Sequence, residues 1–158
     1  MIRYLLAAVA CLALCGAAEA RPISDKGMTV EEVAAFVKSA GFDPKIDMTE
    51  QGQSYVHSTT QGGINFNIDL YDCTEGRCRA LQFVAGFDLK APLAADKANA
   101  WNMNKRYLRL YVNESGDPTF LYDANVAPGG TYEALQDDMD VFLQFLQEGM
   151  EHIGWNAE

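Results

Sequence analysis

Catalysis needs side chains spaced to exchange protons, attack a substrate or hold a metal, and this chain offers few. His57 falls in a strand-like segment with Tyr55 and Thr59, and His152 falls near the end of a helical segment, where its charge suits the helix dipole. Neither has a His, Cys or carboxylate nearby at metal-ligand or triad spacing. Asp137, Asp138 and Asp140 resemble paired carboxylates, yet acids early in a helix are accounted for by its positive end. The serines include no Gly-x-Ser-x-Gly elbow, and Gly62-Gly63 and Gly129-Gly130 are not followed by the Lys and Ser/Thr of a phosphate loop. The reading is a protein without catalytic residues, metal ligands or cofactor.

Two groups remain. Cys73 and Cys78 are read as a structural disulfide; the alternatives are a redox pair or half a zinc site, against which stand the lack of CxxC spacing and of a second ligand pair downstream. The cluster of Asn99, Trp101, Asn102, Asn104 and Arg106 sets amide, indole and guanidinium donors on and just after a short helix. It is either a ligand- or partner-binding site, with Asp123, or architecture. In the second case Trp101 fills the core, the Asn side chains cap the helix, and Arg106 pairs with an acid such as Asp123.

Elements must hold these residues in place. Thr29 and Glu32 form a Thr-x-x-Glu capping box that opens a helix over 29–40, with Met28 stapled onto Val33. Turn residues then punctuate strands over 45–49, 53–59, 64–71 and 79–89, which read as antiparallel hairpins. Ile64, Phe66, Ile68 and Leu70 alternate with Asn65, Asn67, Asp69 and Tyr71, so one face is buried and the other largely wet. A short helix over 94–104 precedes strands over 107–113 and 119–125. After Pro128-Gly129-Gly130, with Thr131 as cap, a long helix carries Leu135, Met139, Phe142, Leu146, Met150 and Ile153 at three- and four-residue steps. Val141, Leu143 and Phe145 widen its apolar arc, enough to fill a deep groove on the sheet or bury part of a partner.

Residues 1–20 have the plan of an export signal: Arg3, an apolar run of about 15 residues, and Ala18-Glu19-Ala20 as cleavage site. That run is short of the roughly 20 residues of a bilayer span, and no later segment is apolar enough, so no membrane span is expected after signal removal. Leu14 before Cys15 is too bulky for the usual lipobox and Cys11 comes too early, which disfavours a lipoprotein anchor. The destination is the periplasm, and residues 21–158 form a single domain. The chain carries 12 Lys and Arg against 22 Asp and Glu, a formal net charge of −10. From residue 110 onward there are ten acids and no Lys or Arg, which excludes the dominant basic surface that nucleic acid requires.

The segment Asn99-Ala-Trp101-Asn102-Met-Asn104-Lys-Arg106-Tyr107, followed by Ser115-Gly116-Asp117-Pro118, Asp123 and Gly129-Gly130, resembles the YbjN-domain family of bacterial proteins over roughly residues 28–154. Cys73 and Cys78 resemble a cysteine pair of its exported members. Ser115 stands where Asp is common, a substitution the turn tolerates. The resemblance implies an α+β fold similar to type III secretion chaperones, which are small dimers that hold other proteins. An antiparallel sheet of about five to six strands would be packed by N-terminal, middle and long C-terminal helices. The family's label of sensory transduction regulator implies a regulatory role. The functional expectation is a non-catalytic periplasmic binding or chaperone-like module, a homodimer acting on an unidentified envelope protein. The alternative is a small-molecule sensor domain with its ligand near Trp101 and Arg106.

Overall fold

The computed structural model describes residues 20–155. The expected export signal over 1–20, with Cys11 and Cys15, lies outside the described residues apart from Ala20. Helix α1 (Val30–Ser39) begins at the expected cap. The Thr29 hydroxyl accepts from the Glu32 amide at 3.3 Å, and the Glu32 carboxylate accepts from the Thr29 amide at 3.0 Å. Two first-turn donors are thereby satisfied. Met28 and Val33, the staple pair, are both fully buried.

Strands β1 (Lys45–Met48), β2 (Ser54–Thr59), β3 (Asn65–Thr74) and β4 (Arg77–Gly86) follow as an antiparallel meander. Helix α2 (Ala95–Asn104), strands β5 (Arg109–Val112) and β6 (Pro118–Asn125) and helix α3 (Tyr132–Ile153) complete the chain. The sheet is six-stranded in the order β1-β2-β3-β4-β6-β5, so β6 pairs with β4 and β5 is left at the edge. This is the α+β architecture expected from the sequence, at the upper strand number.

Several boundaries shift for local reasons. The expected strands over 64–71 and 79–89 become β3 and β4 because the hairpin runs to a two-residue turn, Glu75-Gly76, with φ of 53° and 77°. Positive φ at both positions gives the twist that lets two strands stay paired up to the turn. At its other end β4 stops at Gly86: the Phe87 amide still donates to the Pro118 carbonyl at 3.0 Å, but Pro118 has no N–H to return, and the Phe87 ring packs on Phe120 and Trp155 at 6.0 and 5.1 Å. The strand expected over 107–113 shrinks because Tyr107 takes φ 67°, turning the chain out of α2.

One sheet face carries the core. Val56, Phe66, Ile68, Leu81, Phe83, Phe120 and Ala124 meet Leu135, Met139, Phe142, Leu146 and Ile153 of α3. The Phe142 ring stacks on Phe83 at 5.4 Å and tilts on Phe66 at 6.1 Å. The opposite face carries the alternate residues Tyr55, His57, Asn67, Asp69, Gln82, Arg109 and Asp123. Among the described residues no helix is long and apolar enough to cross a membrane.

Candidate functional site

The Trp101–Arg106 segment is where sequence offered most, and the structure divides it. The Trp101 indole is 2% exposed, donates from Nε1 to the Leu108 carbonyl at 2.8 Å, and packs on Phe120 at 5.5 Å and His152 at 5.3 Å. Asn102 donates from Nδ2 to the Leu110 carbonyl at 2.8 Å and accepts from the Leu110 amide at 2.9 Å. The Asn113 amide bonds to Asp117 across the β5–β6 turn. Odd-numbered residues of β5 therefore face β6, while Leu108 and Leu110 point their backbone groups outward. Trp101 and Asn102 satisfy those outward groups, so α2 closes the β5 edge of the sheet. Asn104 donates back to the Ala100 carbonyl at 2.8 Å, and Asn99 is exposed.

The expected Arg106–Asp123 pair is not formed. Asp123 lies on the opposite face of the sheet from Trp101, accepting from Arg109 at 2.6 Å and from Gln82 at 2.6 Å. Arg106 precedes the strand and lies exposed beside the left-handed Tyr107. Tyr107 keeps this backbone because its ring lies 5.7 Å from Phe145 and 6.5 Å from Tyr122.

His57 faces Asn67 across β2 and β3 at 2.9 Å, and His152 Nε2 lies 2.9 Å from the Lys97 carbonyl. Asp138 accepts from the Tyr122 hydroxyl at 2.6 Å, tying α3 to β6. Desolvation raises the Asp138 carboxyl above its ordinary range, opposed by the Tyr122 bond, with the Asp137 charge adding to the rise. The Tyr122 phenol is pushed far up by burial, by its bond to Asp138 and by the charges of Asp138 and Asp137. Among the described residues no group of three or more His, Cys, Asp or Glu is placed to hold a metal ion.

Cys73 and Cys78 face each other across β3 and β4, bonded, with Cα atoms 4.0 Å apart. The Cys78 amide and carbonyl pair with Met28 rather than Cys73, which leaves the cysteines in the arrangement where cross-strand side chains come closest. Gly27 must be glycine because a Cβ there would collide with the Cys78 carbonyl. Arg77, which sequence reasoning passed over, donates to the Gly27 carbonyl and to Glu32, fastening the hairpin tip to the start of α1.

A feature with room for a partner and an apolar floor lies elsewhere. A groove of about 750 Å³ runs between the end of α1, the β2–β3 turn and the C-terminal half of α3. Phe42, Ile64, Leu143, Leu146, Met150 and Trp155 give it an apolar floor, and Thr60, Gln61, Gln147 and Glu151 stand on its rim. Phe42 is held by edge-on contact with Phe66 at 5.6 Å, and Trp155 by Phe87. The approach of α3 to the sheet is set at Gly149, buried about one turn before the helix end with the Phe120 ring over it: an added Cβ would lie 2.6 Å from that ring. The sequence signal for the groove was the widened apolar arc at Leu143. Its other walls come from segments far away in the chain.

A profile of the YbjN family, described as "Putative bacterial sensory transduction regulator", matches residues 29–155. No curated protein sequence matches the chain. Among solved structures, the Yersinia pestis type III secretion chaperone SycH, in complex with a stable fragment of YscM2, is similar at 11% identity and TM-score 0.49, over 78% of this chain and 98% of that one.

Proposed function

Because the chain belongs to the YbjN family, we propose that it is a periplasmic, non-catalytic regulatory module that holds a segment of an envelope protein, as a chaperone does, and works as a homodimer. The observation that carries this reading is the groove beside α3, a solvent-open apolar floor with a rim of amide, hydroxyl and carboxylate groups. Such a surface gains by covering apolar side chains and can satisfy the backbone of an extended or helical segment laid across it. The periplasmic part rests on the export plan of residues 1–20.

The groove volume supports a second reading. It falls within the roughly 300–1,000 Å³ of small-molecule sites. An apolar ligand would fit here better than beside Trp101, whose indole is spent on the core and on Leu108.

A photocrosslinking residue at Gln147, on the groove rim, tests the main reading in living cells against the same residue at Tyr71 on the opposite sheet face. The expected result is a discrete protein adduct from position 147 that Leu143→Asp abolishes. Equal adducts from both positions, or none from 147, would sink the reading. A small-molecule ligand would instead shift Trp155 fluorescence without any protein adduct.

A further inference from the structure

The two edges of the sheet are treated differently. At β5 the outward backbone groups of Leu108 and Leu110 are occupied by Trp101 and Asn102. At β1 nothing comparable is present among the described residues, and all four residues are exposed. The Thr49 amide bonds to the Gln53 carbonyl, which continues the β1–β2 register and assigns the odd-numbered residues to β2. Ile46 and Met48 therefore direct their amides and carbonyls outward, and the Met48 amide is covered by the Asp47 carboxylate at 2.8 Å. Their side chains are 49% and 61% exposed, on the core side of the sheet, while Lys45 and Asp47 project from the other side.

This strand is complementary to itself. We propose that β1 pairs antiparallel with β1 of a second copy about a two-fold axis at Ile46, joining the two sheets into one. In that register Ile46 meets the partner's Ile46, and the pair exchanges both backbone hydrogen bonds. Lys45 lies opposite the partner's Asp47, and Asp47 opposite the partner's Lys45. The Met48 amide donates to the carbonyl of the partner's Pro44, released from Asp47 as that carboxylate turns to lysine. Pro44, which has no N–H to give, ends the pairing there and leaves the Met48 carbonyl to water.

The neighbouring registers are worse. A one-residue slip sets the apolar side of one strand against the charged side of the other. Centring on Asp47 sets that residue against the partner's Asp47, and centring on Lys45 sets Lys45 against the partner's Lys45 and Asp47 against the partner's Asp43. The inference rests on the reading of the chain as a homodimer and adds its interface, which the charge pattern selects.

Sedimentation equilibrium of the full mature chain tests it with K45D, D47K and the double variant K45D/D47K. Each single variant places like charges opposite each other twice, so the dimer dissociation constant should rise by about ten- to thirtyfold. The double variant restores opposite charges and should return the constant to near the wild-type value. All substitutions are on exposed positions, and circular dichroism confirms that each variant is folded. A wild-type monomer at submillimolar concentration overturns the proposal, as does a dimer indifferent to both single substitutions. A wild-type monomer whose capture of another polypeptide is altered by D47K would also overturn it, assigning the edge to a foreign strand. Leu143→Asp should leave sedimentation unchanged, so failure of the groove and failure of this edge are read separately.

Discussion

Replacing Gly149 with alanine should destabilise the protein, although alanine is the better helix former. In an exposed helix the change would gain about 1 kcal/mol. Here the new Cβ would sit 2.6 Å from the Phe120 ring, which is fully buried and wedged edge-on against Trp101 at 5.5 Å and Phe87 at 6.0 Å. The ring has no free side to move into, so α3 must shift outward. Overpacking of this kind costs typically about 1–3 kcal/mol, so after the propensity gain Gly149→Ala should come out less stable by about 1 kcal/mol, the middle of a span of roughly 0–2 kcal/mol. Urea unfolding followed by far-UV dichroism measures the difference, with thermal melting expected to fall by about 3–5 °C. Phe120→Leu removes the obstruction, and in that background Gly149→Ala should be neutral or stabilising. A wild-type background in which Gly149→Ala raises stability, or a double-mutant cycle with no coupling, would refute the idea that this ring fixes the seating of α3 and hence the groove wall.

Asp138→Asn keeps an acceptor for Tyr122 but removes a carboxylate whose folded-state pKa is raised above 3.8. A raised carboxyl costs stability at neutral pH and less as pH falls through its folded pKa, so the variant should gain stability at neutral pH, with the gain vanishing in acid melts. The same variant should let the Tyr122 phenol ionise at lower pH in an ultraviolet titration. Asn102→Ala strips two hydrogen bonds from Leu110 and should cost about 1–2 kcal/mol in chemical unfolding, with increased aggregation from the reopened edge. The double substitution Cys73→Ser with Cys78→Ala removes a loop closure worth about 2 kcal/mol, and the far-UV spectrum should stay native. Thr29→Ala should cost about 1 kcal/mol through loss of the α1 cap.

Features decided within a few residues were legible in the sequence. The Thr29–Glu32 box, the Thr131 cap and the stripe from Leu135 to Ile153 depend on helical spacing alone, and the helices form there. The alternation in β3 was likewise readable. Strand order was not, because placing β6 beside β4 and β5 outside it depends on which distant surfaces are buried. The same nonlocality undid the Arg106–Asp123 pair: Arg109, on the strand next to β6, reaches Asp123 first, while Arg106 sits before the strand begins. The donors around Trp101 stood out as a group, but their acceptors, the outward carbonyls of an edge strand, appear only once the register is known. Leu143 hinted at the groove, whereas Gly149 gave no sign that a phenyl ring occupies the space of its missing side chain.

Hydrogen–deuterium exchange on the protein, alone and with the polypeptide captured from position 147, tests the central claim most directly. The account predicts new protection concentrated in residues 60–64 and 143–151, the walls of the groove. Protection confined to the opposite sheet face, with those two segments unchanged, would contradict it.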